Sequence, residues 1–165
     1  MKLLLSLLLL TTVLSAQDDI IKDFIREHRR GEENVALKVP GWMVNLASDI
    51  GATASDDPDE QVLFRLLGEL GTVRMVTFLN EDFRRPESSV VNLLYSLERY
   101  RGFERWAEVR TQEGDRVALT VRYERQKIRE LVAVVTEEDR TTLVAARAHL
   151  TAEELGRLVN QLEGL

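Results

Sequence analysis

The strongest constraint on the fold lies near the C-terminus, where Leu131-Val132-Ala133-Val134-Val135 forms an unbroken apolar run of strand length, rich in β-branched residues. A run without alternation needs apolar surroundings on both sides, so it is expected to be a central strand of a covered sheet. Glu137-Glu138-Asp139-Arg140 is a solvated connection, and Leu143 to Ala148 returns as a second apolar run, which makes a hairpin the economical pairing. A helix start follows. Thr151 and Glu154 stand at capping-box spacing, Leu150 can pack on Leu155 across the cap, and Leu155, Leu158, Val159 and Leu162 share one helical stripe.

Upstream, Arg105 to Thr111 reads as a strand and Glu113-Gly114-Asp115 as a turn. Val117, Leu119, Val121 and Tyr123 then alternate with more polar residues. With the hairpin, these strands make a four-strand antiparallel meander closed by the last helix. The earlier part alternates differently. Ile20, Ile21, Phe24, Ile25 and His28 sit at helical spacing from Asp18 to Arg30, acids first and arginines last, in accord with the helix dipole. Val35 to Val39 reads as a strand. Pro40-Gly41 opens a helix with Trp42, Met43, Leu46, Ala47 and Ile50 on its apolar side, and Gly51 is its expected stop. Ala52 to Asp56 is the clearest loop, and Asp57-Pro58-Asp59-Glu60 starts the next helix. Thr72 to Leu79 is then a strand, and Pro86 opens a helix with Val90, Leu93, Leu94, Leu97 and Tyr100 at core spacing.

The first residues read as a signal for export. Met1-Lys2, the run Leu3 to Leu10 and the small residues ending Leu14-Ser15-Ala16 have the basic, apolar and cleavage parts of a secretory leader. As a helix, Leu3 to Leu14 would span roughly 18 Å against roughly 30 Å of hydrocarbon, too short for a membrane anchor. Residues 1–16 are therefore expected to be a signal peptide and 17–165 a single α+β domain, exported to the periplasm or the periplasmic face of the envelope with no stable membrane anchor left after cleavage. The chain has no cysteine, which excludes disulfides, thiol catalysis, thiolate metal sites and the lipidated cysteine that a lipoprotein leader needs. Its formal net charge is −6, which argues against a nucleic-acid or anionic-lipid binder, although eighteen of its twenty-two basic residues are arginine.

The chemistry-bearing residues are sparse. His28 and His149 are the only histidines, far apart in sequence and each without the convergent partners that a metal or an acid–base site requires. Asp56 to Glu60 is the densest acidic run but lacks the ligand alternation and central glycine of a calcium loop, and a capped helix start explains it. Glu124 and Glu130 could face one another as a glycosidase pair, yet Arg122, Arg125, Lys127 and Arg129 crowd the same segment as ordinary cross-strand partners. Ser88-Ser89 lacks the glycines of a nucleophile elbow. No catalytic, metal-binding or cofactor-binding residue is assigned. Phe83 in a charged loop, Tyr95 off the main stripe of its helix, and Trp42 are the candidate interface anchors.

The order of elements resembles the domain-of-unknown-function 4252 family, small exported bacterial envelope proteins of which many are lipoproteins. The resemblance runs through Phe24-Ile25 to Val39, Tyr100 to Trp106, and Ile128-Arg129-Glu130-Leu131-Val132 onward through Leu143 to Leu162. Its motifs are hydrophobic frames, so it implies an envelope location and a hint of envelope signalling, but no functional residues. The expected architecture is a mixed sheet of about six strands, the last four an antiparallel meander, packed by four or five helices. The expected function is a non-catalytic module that binds another envelope protein. A periplasmic carrier of a small apolar ligand stands second, and a hydrolase using surface carboxylates third.

Overall fold

The computed structural model describes residues 17–110 and 114–163, so the expected leader and the tip of the first C-terminal hairpin lie outside the described residues. Among the described residues the chain order is α1 (Gln17–His28), β1 (Val35–Val39), α2 (Gly41–Ala54), α3 (Pro58–Gly68) and β2 (Leu70–Leu79). A short 3-10 turn (Asn80–Asp82), α4 (Pro86–Arg101) and β3 (Glu104–Arg110) follow, then β4 (Arg116–Glu124), β5 (Lys127–Thr136), β6 (Arg140–Leu150) and α5 (Ala152–Glu163). The helix α2 runs through Gly51 to Ala54, so most of the loop expected at 52–56 is helical and only a short connection remains.

The six strands form one sheet in the order β1-β2-β6-β5-β4-β3. All five pairings are antiparallel, which corrects the expected mixed sheet to a wholly antiparallel one. The connections explain this. The neighbours β1 and β2 are joined by two helices that run out and back, so the chain re-enters the sheet at the end it left and must reverse. The single helix α4 carries the chain from β2 to β3 at the far edge; those strands run the same way but are not neighbours. The remaining strands, β3 to β6, form the meander.

Helices cover both faces. On the first, Ile21 and Phe24 of α1 and Val90, Leu93, Leu94 and Leu97 of α4 pack on Val76, Phe78, Val132, Val134 and Leu143. On the second, Leu66 of α3 and Leu155 and Leu158 of α5 pack on Leu119, Val121, Leu131, Ala146 and Leu150. The strand β5 lies between β4 and β6 and sends Val132 and Val134 into one core and Leu131 into the other, the burial its unbroken apolar run demands.

The start of α5 has the expected cap. The Thr151 backbone N–H donates to Glu154 at 2.7 Å, and the Glu154 N–H donates to the Thr151 hydroxyl oxygen at 3.2 Å. The hydrogen bond from the Thr151 backbone, then that from its hydroxyl, hold the Glu154 carboxyl below the usual carboxylate range. Leu150 and Leu155 flank the cap, both buried in the second core.

Candidate functional site

Two surfaces are candidates, one on each side of the sheet. The first begins with α2. This helix packs on α3 and β2 through its smallest residues. Ser48 is 5% exposed, and its hydroxyl donates to the Phe64 carbonyl of α3. A Cβ on Gly68 would lie 2.7 Å from the Ser48 hydroxyl oxygen, and a Cβ on Gly51 would overlap the Phe64 ring. At the start of the helix, a Cβ on Gly41 would come 3.2 Å from the Gly71 backbone. At Gly41, Ser48 and Gly51 the inner side of α2 has no room for larger side chains, while Val44 on the same side is half-buried.

The consequence is an inverted amphipathic helix. The large apolar residues expected to face the core point outward instead: Trp42 is 67% exposed, Ile50 60%, Leu46 53% and Met43 45%. They fall on one arc of the helix, opposite the stripe of Gly41, Ser48 and Gly51. Pro40 joins this helix directly to β1, an edge strand with no neighbouring strand on its outer side among the described residues. Leu37 pairs with Met75 and Val39 with Val73, which places Val35, Leu37 and Val39 on the second face of the sheet, the face of α2 and α3. Val35 and Leu37 are about half exposed there. The strand is nonetheless firmly held, because the Leu79 N–H donates to Asn34 Oδ1 at 3.0 Å and Asn34 Nδ2 donates to Asp82 at 3.0 Å.

The second surface is a groove of about 690 Å³ on the first face, between α4 and the outer strands of the meander. Val90, Leu94, Ala118 and Val134 line its apolar part. Six carboxylates and three arginines also line it, and Arg105 bridges Glu98 of α4 at 3.1 Å and Glu108 of β3 at 3.0 Å. Tyr95, 57% exposed, stands in its wall.

Trp42 and Tyr95 are thus both exposed but on opposite faces of the sheet, and no common site brings them together. Phe83 is different. It turns inward, with its ring 4.5 Å from His28 and 5.1 Å from Phe78 by centroids, so it serves the first core rather than an interface. Phe83 follows the 3-10 turn Asn80–Asp82, and its half-buried ring packs on His28 of α1 and Phe78 of β2 while its charged neighbours stay exposed.

The two histidines are also apart in space. His28 is fully buried, stacked on Phe24 at 3.9 Å, with Nδ1 2.9 Å from the Phe24 carbonyl. His149 is exposed, and its Nδ1 meets Arg129. Among the described residues no cluster of three or more histidines and acids is arranged to hold a metal ion. Glu130 is paired with Arg122 at 3.0 Å and Glu124 with Arg129 at 3.3 Å, so each carboxylate of the suspected pair answers its own arginine. In the acidic run, Glu60 accepts a hydrogen bond from the Ser55 hydroxyl at 2.5 Å, within the local helix start. Among the described residues no helix is long and apolar enough to cross a membrane.

The exposed strand residues Val35 and Leu37 were not among the expected anchors. Their signal lay in α2, where glycine and serine recur opposite the bulky apolar residues. No curated protein and no solved structure matches the chain. A family model described as a domain of unknown function, DUF4252, matches residues 28–158, and the chain belongs to that family.

Proposed function

We propose that this protein is a non-catalytic interaction module of the cell envelope, exported by its leader and acting through the outward face of α2 and the edge strand β1. The observation that carries this reading is the inversion of α2. A helix that buries glycine and serine while holding Trp42, Leu46 and Ile50 in water incurs a hydrophobic penalty that a partner removes. Aromatic, methionine and branched aliphatic side chains are also the types that dominate the centres of protein interfaces. The test is a photo-crosslinking amino acid placed at Leu46, in the full chain expressed in its native envelope, with the same group at exposed Glu138 as control. A discrete protein adduct from position 46 and none from 138 is the expected result. Absence of any protein adduct at 46 refutes the reading.

The carrier reading has the 690 Å³ groove in its favour, since its size suits a small molecule. It stands second because the groove is open and its wall is mixed in charge, whereas a carrier of an apolar ligand gains most from an enclosed dry cavity.

A further inference from the structure

We infer that the occupant of the α2–β1 surface is a second copy of this chain, joined across a two-fold axis by antiparallel pairing of β1 with its own copy. The inference rests on reading that surface as an interaction face, and it names the partner.

The two edges of the sheet differ in the way that open and closed edges differ. The far edge, β3, carries Glu104, Arg105, Glu108 and Arg110, the charged decoration that blocks edge pairing. The near edge, Val35-Ala36-Leu37-Lys38-Val39, has one charge, no proline and a regular register with β2, so its outer backbone groups are ready for a strand.

The sequence of β1 is self-complementary. Placing Leu37 opposite Leu37 of the second copy pairs all five residues, with Val35 against Val39 and Ala36 against Lys38. On the second face every cross-strand pair is then apolar, and on the first each Lys38 stem lies beside a small residue. Shifting the axis by one residue toward the C-terminus would set Lys38 against itself, a like-charge contact that disfavours that register. The two-fold makes the contact isologous, and it brings both copies of α2 to the same side of a continuous sheet.

Area supports the same occupant. Trp42, Met43, Leu46, Ile50, Val35 and Leu37 together leave on the order of 600 Å² uncovered, from their fractional exposures and side chains of roughly 150–250 Å². That is at the upper limit for the apolar patch of a monomer and approaches the roughly 800 Å² per partner of a stable complex. A lipid surface fits less well. The helix α2 contains no lysine or arginine, contains Asp49, and belongs to a chain of net charge −6, whereas surface-lying helices ring their apolar face with cations.

The experiment is sedimentation equilibrium of the full chain as purified from expressing cells, with three variants that read the register. The expected mass is that of a dimer in the micromolar range. Leu37→Glu places like charges on the axis and removes two apolar contacts, so the dissociation constant rises at least about thirtyfold. Ala36→Glu sets a glutamate against Lys38 of the other copy, twice per dimer, and tightens the dimer about threefold. Because the chain has no cysteine, Leu37→Cys gives a clean crosslink. It forms a disulfide dimer on mild oxidation, while Val109→Cys on the opposite edge does not. A monomer at every concentration to about 100 μM, a dimer indifferent to Ala36→Glu, or a monomer that instead floats with vesicles of phosphatidylethanolamine and phosphatidylglycerol each overturns the inference. A monomer that still gives an adduct with another protein at position 46 sinks the second copy and leaves the interaction module standing; no protein adduct sinks both.

Discussion

Exchanging the polarity of the two sides of α2 separates packing from pattern. By hydrophobic pattern alone Ser48→Leu should improve this helix and Ile50→Ser should damage it. The structure reverses both. Ser48 is 5% exposed, wedged where a Cβ on Gly68 would already lie 2.7 Å from its hydroxyl oxygen. Three extra carbons there force α2 and α3 apart at about 1–3 kcal/mol. The lost hydroxyl also leaves the Phe64 carbonyl without its donor, a further ~1 kcal/mol. Ser48→Leu should therefore cost about 2–4 kcal/mol, or about 5–15 °C in melting temperature for a chain of this size. Ile50, 60% exposed, has little to lose, and Ile50→Ser should stay within about 0.5 kcal/mol of the parent. Urea unfolding followed by circular dichroism measures both. It should be run over a range of protein concentrations, because association through the outer face would add a concentration-dependent term to Ile50→Ser and not to Ser48→Leu. A neutral Ser48→Leu with a costly Ile50→Ser at the lowest concentration would show that α2 faces the other way.

Four further outcomes follow from local geometry. Thr151→Ala removes the cap acceptor for the Glu154 N–H and should lower stability by about 1 kcal/mol in a urea titration, with no change in the slope. The depressed Glu154 carboxyl stabilises the fold above its unfolded-state pKa, and that contribution is lost as pH falls through the lower folded value. The melting temperature should therefore drop below about pH 4.5, less steeply in Glu154→Gln, and identical acid profiles would remove the linkage. Phe83→Ala opens the aromatic cluster beside Phe78 and should cost about 2–3 kcal/mol, while Tyr95→Ala costs under about 0.5; equal costs would place Phe83 outside the core. Arg125 and Gln126, at φ of 50° and 68°, form the two-residue turn between β4 and β5 in a left-handed conformation that asparagine and glycine adopt more readily. Arg125→Asn with Gln126→Gly should raise stability by about 1 kcal/mol, and a loss would refute the turn geometry.

The C-terminal half of the fold was legible because local and tertiary demands agree there. The run Leu131 to Val135 needs two apolar neighbours and has two cores beside it, and the Thr151–Glu154 pair forms the cap that its spacing permits. The direction of the N-terminal strands was less legible. Periodicity shows helices between β1 and β2 but not that the pair runs out and back, and that turn-around is what makes the sheet wholly antiparallel. Phe83 misled for a related reason. Its neighbours are charged and exposed, and the contact that draws it inward is made by His28 and Phe78, more than fifty residues and five residues away in sequence.

The helix α2 shows why the candidate surface was hidden while its residues were in plain view. A hydrophobic stripe locates the core only when burial of large side chains is what brings a helix to its neighbours. Between α2 and α3 close backbone approach does this instead. Gly41 lies against Gly71, Ser48 against Gly68 and Gly51 against Phe64, so these inner positions demand small residues and the outer stripe is released from the core. That released stripe is still apolar over Trp42, Met43, Leu46 and Ile50, although polar residues would serve an uncovered helix better. The charged far edge at β3 shows that this chain does decorate exposed elements when they are to stay solvated. The same rule applied at β1 and α2 would have placed lysines and glutamates there. Their near absence is the observation on which the proposed interaction face rests, because it leaves helix and strand apolar together at one edge of the sheet.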